Sequence, residues 1–120
     1  MIMRKIKFYR KKSGKSPVEE FLDSLKPKHA KKVTWTLRLI EEMEQVPIQY
    51  FKKLKSTDNI WEVRARIGSH SFRLLGFLSG DEFVVLTNGF KKKSQKTPKQ
   101  EIELAEQRKA DYLARKGGSI

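Results

Sequence analysis

Arginines and lysines on and after the predicted strands are the residues of this sequence best suited to chemistry. Arg64 and Arg66 lie on one face of a predicted strand, and Arg73 lies on the next strand. The lysines that follow the third strand of this group are Lys91, Lys92, Lys93 and Lys96. Adjacent strands of a sheet are about 5 Å apart, so an antiparallel meander would bring these cations together. The guanidinium fork matches phosphate oxygens, and the cluster therefore predicts a phosphate-binding site.

Aromatic side chains near the cluster extend this prediction to nucleic acid. Phe90 and Tyr50 are candidates for stacking on bases. The alternative is a solvated outer face of the sheet, on which the arginines pair with Glu62 or with acidic residues of a helix. The charge balance favours the binding site, because 27 Lys and Arg residues against 14 Asp and Glu residues give a net charge of +13. Such a charge predicts a polyanionic partner.

Other kinds of site find little support in the residue types. The sequence has no cysteine, which excludes disulfides, thiolate zinc sites and a cysteine nucleophile. His29 begins a helix and is predicted to lie on the surface, whereas His70 lies in a turn, so no metal site is predicted. Glycine-rich phosphate loops and paired carboxylates are also not evident. Trp35 and Trp61 are predicted to belong to the core.

Length and composition indicate a single domain. A chain of 120 residues with 38% hydrophobic content is enough for one core. No apolar run approaches the roughly 20 residues that a membrane-spanning helix needs, and the first residues lack the apolar stretch of a secretory signal. We therefore expect a cytoplasmic chain with no membrane partner, one domain at residues 1–116 and a flexible tail at residues 117–120.

The elements that would position the cations are predicted in the order β–α–α–β–β–β–β–α, or the same with one strand fewer. The predicted strands cover residues 3–9, 50–54, 60–67, 71–78 and 82–90. Helices are predicted from Ser16-Pro17 to Leu25, from Pro27 to about Gln45, and from Thr97-Pro98 to before Gly117. This order predicts an α+β fold of two layers: a mostly meandering antiparallel sheet of four or five strands, packed on one face by an N-terminal αα-hairpin, with a C-terminal helix.

Three stretches in this order resemble a known family. They are Ile60-Trp61-Glu62-Val63-Arg64, then Phe72-Arg73-Leu74-Leu75, then the element that runs from Asn88-Gly89-Phe90-Lys91-Lys92-Lys93 to Lys96-Thr97-Pro98. Together they resemble the RelE/ParE superfamily of toxins from type II toxin–antitoxin systems, and more closely its phage-derived, HigB-like branch. The resemblance spans nearly the whole chain, from the first strand to the last helix.

The resemblance implies a RelE-like fold and a small cytoplasmic toxin. A protein antitoxin, of the helix-turn-helix DNA-binding kind, would neutralise it, and the complex would reach operator DNA through the antitoxin. RelE-like and HigB-like members cleave mRNA, typically in the ribosomal A site, without a metal or another cofactor, and so inhibit translation. We therefore expect an endoribonuclease of the mRNA interferase type. The alternatives are a ParE-like, non-catalytic gyrase poison and a simple nucleic-acid-binding module.

The family's site residues carry over to matching positions. Arg73 matches the arginine of the family's tyrosine–arginine strand and would meet the scissile phosphate, and Arg64 and Lys91 complete the expected catalytic set. The expected RNA-binding set is Arg66, Lys92, Lys93, Lys96, Phe90 and Asn88. Phe72 replaces the family's usual tyrosine, and Asn88 stands where close relatives often have histidine. Asparagine can hydrogen-bond but cannot transfer a proton at neutral pH.

Overall fold

The computed structural model describes residues 4–80, 82–93 and 96–118, with no side-chain description for residues 117 and 118. In these ranges the strands are β1 (Lys5–Phe8), β2 (Phe51–Lys53), β3 (Ile60–Ile67), β4 (His70–Ser79) and β5 (Phe83–Lys91). The helices are α1 (Pro17–Asp23), α2 (Pro27–Glu42) and α3 (Lys99–Gly118). None of these helices is long and apolar enough to cross a bilayer.

One sheet contains all five strands, in the order β1-β5-β4-β3-β2. The strands from β2 to β5 form the predicted antiparallel meander, and β1 joins its edge parallel to β5. The structure confirms the predicted α+β class, with a five-stranded and mostly antiparallel sheet, N-terminal helices and a C-terminal helix.

Helices cover both faces of the sheet: α1 and α2 pack on one face, as predicted for the hairpin, and α3 adds a third layer where only two layers were predicted. Val63 and Leu74 pack with residues of α1 and α2 in one cluster, whereas Leu75 packs with Ala105 of α3 in another. The reason lies in the central strands, where successive residues are apolar and point to opposite faces. Helices must therefore bury the apolar side chains on both faces, and α3 lies on the side of the sheet opposite α1 and α2.

The helix starts follow the sequence signals more closely than the ends do. Ser16 caps α1 by accepting a hydrogen bond from the Glu19 backbone N–H at 3.2 Å, with Pro17 in the first turn. Helix α2 ends at Glu42, three residues before the predicted end at Gln45. Helix α3 continues to Gly118 instead of ending before Gly117. Of the predicted tail, residues 117 and 118 are thus helical, and residues 119–120 lie outside the described residues.

A β-bulge in β5 determines which side chains face α3. Gly76 lies opposite Leu86, but the preceding residue Leu75 lies opposite Asn88, so Thr87 is an extra residue in β5. An extra residue reverses the alternation of side chains beyond it. Asn88 and Phe90 are therefore on the same face of the sheet as Arg73, which is opposite Phe90 in the register.

Candidate functional site

Arginines of two adjacent strands meet at one end of the α3 face of the sheet. Arg64 of β3 lies directly opposite Arg73 of β4, and Arg66 lies opposite Ser71. Residues at positions 64 and 66 of a strand share a face, and directly opposed residues share it as well. The meander thus brings together the three arginines that the sequence singled out.

The carboxylate of Glu62 forms ion pairs with two of these arginines. Its carboxylate has no exposed surface, and its Oε1 accepts a hydrogen bond from Arg64 Nε at 2.8 Å. Arg73 Nε lies 3.6 Å from the same oxygen, close enough for charge attraction but too far for a hydrogen bond. The Thr97 hydroxyl donates to the other oxygen, Oε2. One buried carboxylate therefore faces two guanidinium groups, so the positive charge exceeds the negative charge at this point.

Arg73 is the most enclosed of the three arginines. Its side chain is 12% exposed, and its Nη1 donates to Ser71 Oγ at 2.7 Å and to the Phe72 carbonyl at 3.0 Å. Burial lowers the pKa of Arg73, and the charges of Arg64 and Arg66 lower it further against the opposing effect of Glu62. The guanidinium still carries its charge at neutral pH, and a phosphate would relieve this repulsion.

Lys92, rather than Lys91, is the lysine of the basic run that lies near Arg73. The Lys92 backbone N–H donates to the Ser71 carbonyl at 2.8 Å. Partial burial lowers the pKa of Lys92, and the nearby charge of Arg73 lowers it further. Lys91 lies opposite Phe72, which packs on the α1 and α2 side, and its charge acts on His29 there. The structure therefore separates Lys91, which the sequence placed in the catalytic set, from the arginines.

The arginines line a cleft of about 410 Å³ at the β3 side of the sheet. Its remaining walls come from α2 and from the segment before β2, through Lys32, Thr36, Gln49 and Tyr50. Arg66 is exposed at its rim, where its Nε is 3.4 Å from the Gly68 carbonyl. The cleft is thus polar and cationic, and it can hold an anionic group against several guanidinium donors.

Asn88 and Phe90 contribute to the packing between the sheet and α3. Asn88 is 3% exposed, and its Nδ2 donates to Glu101 Oε1 at 3.0 Å while its Oδ1 accepts from the Thr87 hydroxyl at 2.6 Å. Phe90 packs against the cluster that contains Leu75. Both were predicted to bind RNA, but these contacts give Asn88 and Phe90 roles within the protein. Lys93 and Lys96 are exposed between β5 and α3.

The two histidines lie on the other face of the sheet and form an aromatic cluster with Phe72. His29 is 6% exposed, and its ring centroid is 4.7 Å from that of His70 and 5.1 Å from that of Phe72. Burial lowers the pKa of His29, and the positive charges of His70, Lys26, Lys28 and Lys91 lower it further. The prediction of a surface position for His29 was wrong. The four-residue spacing from His29 to Val33 and Leu37, which places all three on one helix stripe, is the signal that indicates burial.

Helix α2 contributes groups that sequence reasoning left out of the site. Lys32 and Thr36 line the cleft, and Trp35 between them is 46% exposed, so its assignment to the core was wrong. Trp35 stands two positions beyond Val33, away from the buried stripe of the helix. Trp61, by contrast, stacks on Phe51 at 4.7 Å and packs against the core, as predicted.

Within residues 4–80, 82–93 and 96–118, no three His, Asp or Glu side chains gather in a way that would hold a metal ion. A family model described as "Phage derived protein Gp49-like (DUF891)" matches residues 20–110, which include every residue of the cleft. A search of curated proteins finds no match.

Proposed function

The chain belongs to the Gp49-like family of phage-derived proteins, and on that premise we propose that it is a toxin that cleaves RNA. In this proposal it is the endoribonuclease of a type II toxin–antitoxin system and inhibits translation by cutting mRNA on the ribosome. One observation carries the proposal: Arg64 and Arg73, on adjacent strands, share the single buried carboxylate of Glu62 in an open cationic cleft.

The proposed reaction needs a nucleophile that RNA itself supplies. The ribose 2′-oxygen attacks the adjacent phosphorus and loses its proton to solvent water, while the bond from phosphorus to the 5′-oxygen breaks. The products are a 2′,3′-cyclic phosphate and a 5′-hydroxyl, and the 5′-oxygen takes up a proton as it leaves. Negative charge increases on the phosphoryl oxygens in the transition state, and the Arg64 and Arg73 guanidinium groups are placed to stabilise it.

We assign the proton that the leaving oxygen needs to Lys92, whose backbone pairs with Ser71, two residues before Arg73 on β4. Its lowered pKa makes its ammonium a stronger acid than an ordinary lysine. The histidines lie on the opposite face, near Phe72, and take no part. Glu62 has a positioning role, because its buried carboxylate fixes the Arg64 side chain before RNA binds.

The resemblance to RelE-like toxins supplies the partners in this proposal. Messenger RNA and the ribosome would be the targets, and a cytoplasmic antitoxin would neutralise the toxin by presenting carboxylates to Arg64, Arg73 and the lysines after β5. A complex with the antitoxin in which this cleft stays open would contradict that part of the proposal.

The test is the effect of Arg73→Ala on cells that express the protein. Losing one donor to a developing oxyanion reduces a rate by about 10²- to 10³-fold, so we expect growth arrest and new mRNA 5′ ends to disappear. Arg10→Ala is the matched control, because Arg10 is a 54% exposed arginine that follows β1 at the other edge of the sheet. Undiminished arrest by Arg73→Ala at equal expression would refute the assignment. DNA breaks in a purified-gyrase assay, without RNA cleavage, would instead indicate a gyrase poison.

A further inference from the structure

Trp35 is a surface feature that the proposed reaction leaves unused. Its indole is 46% exposed on α2, although an aromatic ring of this size gains most from burial. The Lys32 ammonium, three residues earlier, lies 4.1 Å from the ring centroid. The Tyr50 ring meets the indole edge-to-face, with centroids 6.0 Å apart and planes at 76°. We call Lys32, Trp35 and Tyr50 the aromatic corner.

The aromatic corner is continuous with the arginine cleft. Lys32 and Tyr50 line that cleft together with Arg64 and Arg73. The Tyr50 carbonyl also accepts a hydrogen bond from the Arg64 backbone N–H at 2.8 Å, which ties this residue to β3. An anion held by the arginines would therefore lie beside Tyr50 and Lys32, and both of these residues contact the Trp35 indole.

A nucleotide combines the two chemical features that this arrangement matches, an anionic phosphate and a flat aromatic ring. Every base has a π face, and stacking on an aromatic side chain contributes to binding single strands without regard to sequence. An acidic peptide could form ion pairs with the cations through its carboxylates, but it would offer no aromatic ring to stack on the exposed indole.

We propose that Trp35 forms the stacking platform for a base of the RNA whose phosphate lies against Arg64 and Arg73, with the Tyr50 ring supporting the indole edge-to-face. This inference rests on the proposed function and adds a residue that determines RNA affinity. Lys32 contributes by moving from the indole to the phosphate of the same nucleotide, since its side chain is flexible and its charge is attracted to both.

The binding test uses fluorescence, because the chain has two tryptophans. In the variant Trp61→Phe, which keeps an aromatic ring stacked on Phe51, all tryptophan emission comes from Trp35. The probes are a single-stranded 2′-O-methyl oligonucleotide of mixed sequence, which lacks the 2′-hydroxyl nucleophile, and an abasic oligonucleotide of equal length and charge. We expect the first probe to quench Trp35 emission and the abasic probe to leave it nearly unchanged.

Affinity measurements then separate stacking from charge. Trp35→Ala should weaken binding of the mixed-sequence probe by about 5- to 150-fold and change binding of the abasic probe little. Trp35→Phe should restore most of the loss. Leu113→Ala is the control, because Leu113 is an equally exposed apolar residue on α3. Far-UV circular dichroism checks that each variant is folded.

The outcomes distinguish this inference from the proposed function. Equal losses for both probes, or no loss for either, would overturn the stacking role of Trp35 while leaving RNA binding by the cleft intact. Unchanged RNA affinity with weakened antitoxin binding would identify the aromatic corner as a protein contact and also overturn the inference. If Arg73→Ala leaves the affinity of both probes unchanged, the proposed function itself fails.

Discussion

Replacing Glu62 by glutamine tests whether a buried charge organises the cleft. Glutamine has nearly the same shape and can still accept a hydrogen bond from Arg64 Nε, so the change removes charge while keeping volume. The carboxylate is fully buried and faces Arg64 Nε at 2.8 Å and Arg73 Nε at 3.6 Å. Glu62→Gln would therefore leave two guanidinium groups without their shared counter-charge.

The expected loss of unfolding free energy in Glu62→Gln follows from the burial of Glu62 and its two arginine partners. Two unit charges 4 Å apart attract by about 4 kcal/mol at an effective dielectric constant of 20, but the desolvation of a carboxylate offsets much of this gain. Removing one partner from a buried pair costs about 3–5 kcal/mol. The Arg64 side chain is 28% exposed and stays partly hydrated, so we expect the lower end, about 3 kcal/mol. For a domain of this size that is a fall in Tm of about 10 °C.

The assay is urea and thermal unfolding of Glu62→Gln beside Glu103→Gln. Glu103 pairs with Lys99 at 3.9 Å on the surface of α3, where the two side chains are 55% and 88% exposed. The control should lose less than about 0.5 kcal/mol, since exposed pairs contribute little. If Glu62→Gln proves as stable as the control, the carboxylate does not hold the arginines by charge, and the account of the cleft is wrong.

Three further predictions concern binding, pH and packing. Arg66→Ala should reduce the slope of the logarithm of the RNA-binding constant against the logarithm of salt concentration by about 0.7, as expected for the loss of one phosphate contact on single-stranded RNA. An unchanged slope in a salt titration would show that Arg66 does not contact phosphate. The fold keeps the pKa of His29 below its ordinary 6.5, so below about pH 6.5 the unfolded chain binds more protons and stability falls. Calorimetry from pH 8 to 5 should therefore show a steeper fall in Tm for the natural chain than for His29→Phe, and parallel curves would contradict this. Gly76→Ala should cost about 3 kcal/mol in urea unfolding, because a Cβ there would lie 2.2 Å from the Val85 carbonyl oxygen; an unchanged urea midpoint would contradict this close packing.

The α+β class and the meander could be predicted because local signals specify them. Alternation from Ile60 to Ile67 and the turn residues between strands indicate paired strands, and Ser16-Pro17 marks a helix start. The placement of α3 on the second face could not be read from its own sequence. It depends on which face of the central strands remains open, and this is a property of the assembled sheet.

The candidate site was predictable where it depends on strand alternation and not where it depends on a bulge or on α2. Alternation and adjacency bring Arg64, Arg66 and Arg73 together, as predicted. Thr87, the extra residue of β5, changes which residues face α3. The one signal beside it, the isolated glycine Gly76 within the predicted strand 71–78, fits a close approach of another backbone as well as a bulge, so the sequence does not determine the register. Asn88 was assigned to RNA binding because close relatives often have histidine at that position, and the resemblance does not show that the side chain is buried. Trp35 was missed because its type alone suggested burial.

The most direct test of the central claim is the chemistry of RNA ends in a translation reaction programmed with a defined mRNA. The purified protein should generate new fragments that end in a 2′,3′-cyclic phosphate, each matched by a fragment that begins with a 5′-hydroxyl. Arg73→Ala should reduce them at least 100-fold, and Arg10→Ala should generate them at the natural rate. If the active protein stops translation without any such ends, or if Arg73→Ala generates them undiminished, the arginine cleft is not the site of RNA cleavage.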